Sequence, residues 1–322
     1  MKIALIGYGN VARALLRLMR ARRREFPFTV TGIHTQRHGT AVNPRGLKAN
    51  PKFGPRIESV GAFLDAAGAE VAVELTTLSP FDGQPAIAHI RSALARDMHV
   101  VTANKGPIAH AYGELADEAA RLGLGFRFES AVMDGAPVFN LWRQTMPGVK
   151  VVGFTGALNS TSKVVIETME RGGTFDEGLA RARAMGVTEG DGAFDIDGWD
   201  SAAKTAALAN VLMDARTTPQ QVSTRGIGRL TGARLAEINR QGKTVRLISR
   251  ARRTAHGLSL RVRAEVLART DILASVPGTS NILLFHTDLM GTFGTVSIDP
   301  GVEQTAYGVF SDLVGIGFQR PE

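Results

Sequence analysis

No cysteine occurs among the 322 residues. Disulfides and thiolate metal sites are thereby excluded, which fits a reducing compartment and sets the cytoplasm as the expected location. No apolar run reaches the roughly 18 residues a membrane-spanning helix needs, so no membrane partner is expected. The N-terminus reads as a short apolar strand followed by glycines, not as a charged, apolar and cleavable leader. Aromatic residues make up only 6% of the chain, with two tryptophans, too few to supply a base-stacking platform. The net charge is +8, yet arginines are spread along the sequence and bunch only in "RARRRE", Arg20 to Glu25. That describes a solvated basic surface open to small anionic ligands, and no nucleic-acid partner is expected.

What is present is the composition of an ordinary globular protein, 44% hydrophobic and 21% charged, at a length that suggests two domains. Over the first 130 or so residues strand and helix patterns alternate, which predicts a parallel sheet with helices on both faces. Strands are expected at Lys2–Ile6, Phe28–His34 and Glu70–Thr77, then in "MHVVTAN" and "GFRFESA". Helices are expected at Asn10–Arg23, Val60–Ala67, Pro85–Arg96 and Gly113–Arg121, with "TQRHGTAVNPRG" as a loop. After Pro137 the pattern changes to "STSKVVIETMERGG", a helix capped by a serine or threonine, then two more helices and four strands of a mostly antiparallel sheet. A last helix is expected at Gln304–Ile316. The expected fold class is α/β: an N-terminal Rossmann-type domain over 1–135, with 301–322 packing back on it. An α+β domain for substrate and dimerisation is expected over 136–300.

Gly7-Tyr8-Gly9-Asn10-Val11-Ala12 is a G-x-G-x-x-A turn between the first strand and the first helix. The first glycine permits the tight turn, the second lets backbone approach a pyrophosphate, and Ala12 allows close helix–strand packing. Gly7, Gly9, Asn10 and Val11 are therefore candidate cofactor contacts, the plainer alternative being a glycine turn without a ligand. NAD-preferring folds place an acid after the second strand, but from Phe26 to Ile57 there is no Asp or Glu. Arg37 stands there instead, suited to a forked contact with a 2′-phosphate, so NADP is preferred over NAD. A surface arginine tolerating either cofactor is the alternative.

"VVTANKGPIA" ends a strand of the nucleotide sheet, where ligands sit beyond strand carboxyl ends; Lys105 should face that crevice rather than bulk water. "GVTEGDGAFDIDGWDSAAK" gathers five carboxylates ahead of Lys204. If Trp199 onward is helical, Asp200 and Lys204 lie four apart on one face. The spacing lacks the glycine and terminal glutamate of a calcium loop. A solvated acidic loop remains open, but the apolar sequence around Lys204 points to a partly desolvated lysine beside a carboxylate, a competent proton donor.

These stretches together resemble the homoserine dehydrogenase family over nearly the whole chain. "GYGNVARALL" resembles its nucleotide turn, and "VVTANKGPIA" is similar to its most characteristic stretch. "GALNSTSKVVIETM" and the acidic block are similar to two further segments, and "NILLFHTDLMG" and "PGVEQTAYGVFSDL" to its C-terminal signatures. The likeness is to a short form without regulatory or kinase extension. It departs at Ser160, Lys163, Gly192 and Asp134, where the family has glycine, asparagine, proline and a glycine-rich loop.

The resemblance implies NAD(P)-linked interconversion of L-homoserine and L-aspartate 4-semialdehyde, on the route to threonine and methionine, by a homodimer. It implies Lys204 as proton donor, Asp200 as its acidic partner, and Lys105 as a second lysine at substrate and cofactor. Glu189 would hold the substrate ammonium, with the carboxylate near backbone amides and Asn159 or Thr161. Thr77, Thr102 and Gly301 fall to the cofactor. A monovalent cation, sodium or potassium, would be held largely through backbone carbonyls, with Glu129, Val132, Asp134 and Ala136 as its candidate ligands. A dehydrogenase for another small amino-acid alcohol and a non-catalytic NADP-binding regulator are the alternatives; a substrate panel separates them.

Overall fold

The computed structural model describes residues 1–79, 81–188 and 192–318. The chain forms two compact units, one of residues 1–140 with 301 onward and one of residues 141–300.

The first unit opens with β1 (Lys2–Ile6), α1 (Asn10–Ala21), β2 (Thr29–Thr35) and β3 (Gly39–Val42). It continues with α2 (Val60–Ala67), β4 (Val71–Glu74), α3 (Ala86–Leu94) and β5 (His99–Thr102). Then come α4 (Lys105–Arg121) and β6 (Phe126–Arg127), and α5 (Phe139–Thr145) runs across the boundary into the second unit. The sheet order is β3-β2-β1-β4-β5-β6, so the strand order reverses direction at β1. That reversal opens a crevice beyond the carboxyl ends of β1 and β4, where such sheets bind ligands. Apolar β1, with Ile3, Ala4 and Leu5 fully buried, lies between β2 and β4 in parallel register, as continuous hydrophobic strands of covered sheets do.

Three local differences from the sequence reading have physical causes. The stretch expected as a loop holds β3, which pairs antiparallel with β2 across the turn 36–38, so the sheet is not wholly parallel. Helix α4 kinks at Ala111, where φ is −144°. The part after the kink is the helix expected at Gly113–Arg121, and the helical start at Lys105 before it is additional. Pro107 is tolerated there because a first turn needs no N–H from proline. "GFRFESA" is extended only at Phe126–Arg127 and then winds into a 3-10 turn over Glu129–Ala131.

The second unit carries β7 (Val151–Ala157), α6 (Ser160–Glu170), α7 (Phe175–Ala184), α8 (Ala193–Ile196) and α9 (Trp199–Met213). Then follow β8 (Ser223–Arg225), α10 (Gly232–Arg240), β9 (Lys243–Thr254), β10 (Gly257–Ala268), β11 (Asn281–Thr287) and β12 (Thr292–Ser297). The sheet runs β12-β11-β7-β9-β10-β8, antiparallel except between β10 and β8. Helix α9 buries Ala202, Ala203, Ala206, Ala207, Leu208 and Ala209, so it is enclosed on most of its circumference and its polar residues are desolvated with it.

The chain ends its described course in α11 (Val302–Gly317), which packs on α1 within the first unit and adds Ala306, Val309, Phe310 and Leu313 to that core. Among the described residues no helix is long and apolar enough to cross a membrane.

Candidate active site

The glycine turn is built by backbone. Gly7 has φ +108°, and a Cβ there would stand 2.6 Å from the Leu75 carbonyl oxygen, so only glycine closes this turn against β4. Its N–H donates to His34 O at 2.9 Å, fixing the turn at the end of β2 as well. A Cβ at Gly9 would meet nothing within 4 Å, and Gly9 caps α1 without any side-chain hydrogen bond. The open approach and the uncapped N-terminus of α1 are what a pyrophosphate requires, so the turn fits a dinucleotide. Asn10 and Val11 open that helix.

Arg37 is exposed in the turn that follows β2. Rings connect it to the glycine turn: Tyr8 and Phe53 lie 5.3 Å apart, Phe53 and His38 5.9 Å, and the Arg13 guanidinium sits 5.2 Å over Tyr8. The sequence reading missed this aromatic spacer, whose one local signal is Tyr8 inside the motif. Gly301 caps α11 with extended backbone and, like Gly9, without a side-chain bond.

At the carboxyl ends of β4 and β5 a carboxylate organises the loops. Glu74 is 1% exposed; Thr76 donates to one of its oxygens through both N–H and hydroxyl, and Thr102 Oγ1 to the other at 3.0 Å. Thr102 Oγ1 also accepts Asn104 N–H, and Asn104 Oδ1 caps α4 by accepting Gly106 N–H at 2.9 Å. Thr102 is thus fully buried with its hydroxyl engaged, whereas Thr77, three residues past Glu74, is exposed. Lys105, 8% exposed, is placed by this scaffold at the first position of α4. Sequence reasoning passed over Glu74; the available signal was a lone acid closing an otherwise apolar strand.

The loop expected to hold a cation fits that role poorly through its side chain. Glu129 accepts Val138 and Phe139 N–H on one oxygen and Asn140 N–H on the other at 2.5 Å, so its carboxylate caps α5. Burial pushes its pKa up, the three amides pull against that, and neighbouring Asp312 adds to the rise. Asp312 in turn accepts Glu129 N–H at 2.7 Å and Asn140 Nδ2–H at 2.9 Å. Val132 is buried, and Asp134 and Ala136 are half-buried, Asp134 at φ +55°. Among the described residues no group of three His, Cys, Asp or Glu could hold a metal ion.

In the second unit the predicted helical pair is present: Lys204 Nζ lies 3.0 Å from Asp200 Oδ2, with the two side chains 16% and 3% exposed. Lys204 Nζ also donates to Leu158 O at 2.7 Å. Asn159 Nδ2 bridges two carboxylates, reaching Asp195 Oδ1 at 2.7 Å and Asp200 Oδ2 at 2.9 Å. Its Oδ1 accepts Ser162 N–H at 2.7 Å and so caps α6, the role expected of a serine or threonine. Asp195 belongs to the acidic run but was not singled out, because its partner stands 36 residues away. Thr161 is fully buried and donates to Val187 O at 2.9 Å, anchoring that segment instead of offering a donor to a ligand. Glu189 lies outside the described residues.

The departures are also accounted for. Ser160 Oγ donates to Thr279 O at 2.8 Å, and Lys163 is 2% exposed with Nζ on Ser280 O and Val276 O. Gly192 has φ +82°, a conformation closed to the proline it replaces.

A partly buried lysine held by a carboxylate, in a chain whose other unit carries a dinucleotide turn, suits proton transfer coupled to hydride transfer. The family profile described as "Homoserine dehydrogenase" matches residues 137–314, and that described as "Homoserine dehydrogenase, NAD binding domain" matches residues 7–129. The chain belongs to the homoserine dehydrogenase family. This makes it an oxidoreductase with a nicotinamide cofactor. It is 34% identical to the NAD(+)-dependent homoserine dehydrogenase of Pseudomonas canavaninivorans, covering 98% of this chain and 96% of that one. It is 31% identical to the homoserine dehydrogenase of Methanocaldococcus jannaschii, covering 98% of each. A hyperthermophilic archaeal homoserine dehydrogenase in complex with NADPH superposes with a TM-score of 0.83 at 25% identity, over 100% of this chain and 98% of that one. Family membership favours the catalyst over the non-catalytic regulator.

Proposed function

We propose that the chain interconverts L-homoserine and L-aspartate 4-semialdehyde with NADP, and that Lys204 moves the proton. The observation that carries this reading is the geometry at Lys204. Among the described residues its ammonium uses two N–H directions, toward Asp200 and the Leu158 carbonyl, which leaves the third for a substrate oxygen. A bound nicotinamide supplies or accepts the hydride. Lys204 gives its proton to the developing alkoxide or takes it back in the other direction, and Asp200 holds the amine in place. Asn159 keeps Asp195 and Asp200 side by side by donating to both. Glu189 is assigned the substrate ammonium on resemblance alone. Lys105, set on α4 by the Glu74 scaffold, is assigned to the cofactor and substrate, with Thr77 and Gly301 on the cofactor side.

NADP is preferred because exposed Arg37 ends β2 where no carboxylate stands to repel a 2′-phosphate. Both cofactor forms occur in the names of similar proteins, so this preference rests on the chain's own turn. No step is routed through a cation; the Glu129 carboxylate accepts three backbone amides. The same reading places the protein in the cytoplasm, on the route to threonine and methionine, as a homodimer. Leu289 and Met290, and Val296 and Ile298 at edge strand β12, are exposed apolar residues that pairing would cover. Light scattering on the eluting peak measures that state.

Initial rates with L-homoserine and each of NADP and NAD test the function. Turnover with NADP exceeding that with NAD supports it; no oxidation of homoserine with either overturns it.

A further inference from the structure

A cavity of about 410 Å³ lies within the second unit at the C-terminal end of α6. Its charged lining comprises Glu167, Glu170 and Arg171 from the end of α6, Arg246 from β9 and Arg269 after β10, beside Asn239. Three guanidiniums therefore face two carboxylates. The ion pairs are long, Arg246 Nη2 3.4 Å from Glu167 and Arg269 Nη2 3.6 Å from Glu170. Arg246 Nη1 meanwhile donates to Thr244 Oγ1 and Val245 O at 2.8 and 2.9 Å, and Arg269 Nη2 to Asn239 Oδ1. Arg171 has no carboxylate partner among the described residues. Arg246 is 5% exposed, and its Nε is buried with no hydrogen-bond partner there. A buried donor left unmade is costly, and an oxyanion in the cavity would be met by the exposed Arg171 and Arg269 guanidiniums and by Arg246 Nη2.

The cavity is joined to the Lys204 cluster by two routes. Helix α6 has Asn159 at one end and Glu167, Glu170 and Arg171 at the other, about 16 Å apart by helical rise. Ala274, Ser275 and Pro277 form another wall of the cavity, and Lys163 holds that segment from inside α6 through Val276 O and Ser280 O. Ser160 ties the start of α6 to Thr279 O in the same segment.

We propose that this cavity is an effector site for a small organic oxyanion, a carboxylate or a phosphate ester, whose occupancy is felt at the Asn159–Asp200–Lys204 cluster through α6 and residues 274–280. The binding claim stands apart from the proposed reaction; the kinetic effect rests on it.

The test titrates the full chain, saturated with NADPH so that the glycine turn is filled, with inorganic phosphate and separately with succinate, chloride holding ionic strength constant. Calorimetry should show saturable binding of at least one probe, and the one preferred identifies the ligand class. Its Kd should rise roughly tenfold or more in Arg171→Gln and in Arg269→Gln, the loss expected for one charge-assisted contact. In homoserine oxidation the bound probe should shift kcat or KM, and the shift should disappear in both variants. Lys163→Met should keep binding and lose the shift. Binding of neither probe, binding unaltered in both arginine variants, or binding without a kinetic shift each overturns the proposal. Failure to oxidise homoserine at all would instead count against the proposed reaction, and calorimetry would still decide on the site.

Discussion

The glycine turn and the Lys204 cluster solve opposite problems. At the turn the ligand-facing surface is backbone: a glycine at φ +108°, a second glycine facing open space, and a helix start with no side-chain cap. At the cluster side chains form the site, with Asn159, Asp195 and Asp200 buried, Lys204 partly so, and the four linked to one another. A backbone site recognises a shape that all dinucleotides share, so it needs little from side chains. A side-chain site has to hold one amine in one direction, so it is over-determined.

The difference can be broken first at Lys204. Lys204→Ala should lower kcat by about 10²–10⁴-fold, the usual worth of a general acid, while the Kd for NADPH stays close to the unaltered value; near-normal turnover would remove Lys204 from the role. The second effect concerns charge buried on α6. Burial lowers the Lys163 pKa from 10.5 to about 8, with Arg246 adding to the fall and Glu167 and Asp299 opposing it. Because the unfolded chain then binds more protons between those values, this residue's contribution to stability should be flat below pH 8 and rise by up to about 3 kcal/mol toward pH 10.5. Denaturant unfolding of the wild type minus Lys163→Met across that range should show the rise; a flat difference rejects the assignment.

Third, Gly7→Ala forces a side chain into a left-handed conformation against Leu75 O, and NADPH affinity should fall by roughly 10–100-fold on strain of a few kcal/mol. Lys204→Ala and Gly7→Ala should thus split cleanly, one in kcat and the other in cofactor Kd. The smallest effect is expected at Arg37→Ser, where the ratio of kcat/KM with NADP to that with NAD should fall about tenfold with NAD activity preserved. An unmoved ratio would mean that Arg37 is a surface residue.

The same contrast governs what the sequence discloses. The turn is contiguous, and its residues sit where strand gives way to helix, so the motif can be read directly. Asp200 and Lys204 are legible because helical spacing brings residues four apart together. Asn159 was placed in the site, yet its contacts to Asp195 and Asp200 span 36 and 41 residues, and no periodicity encodes them. Glu74 shows in the sequence only as a lone acid closing an apolar strand, because its partners, Thr76 in the following loop and Thr102 at the end of β5, are aligned with it only by the sheet. Strand β3, the short segment GTAV, lies between turn residues and becomes a strand only through its pairing with β2. The part of α4 after the Ala111 kink is legible from its pattern, whereas the start at Lys105 is masked by Gly106 and Pro107, which break helices anywhere but in a first turn.

Asn159 has one further consequence. A single planar amide gives its oxygen to the start of α6 and its nitrogen to both carboxylates, so heat tolerance and speed are inherited through the same side chain. Aspartate could still cap the helix but would set a third negative charge against the other two, and serine is too short to span them. At this position a lineage cannot trade robustness for rate, or rate for robustness.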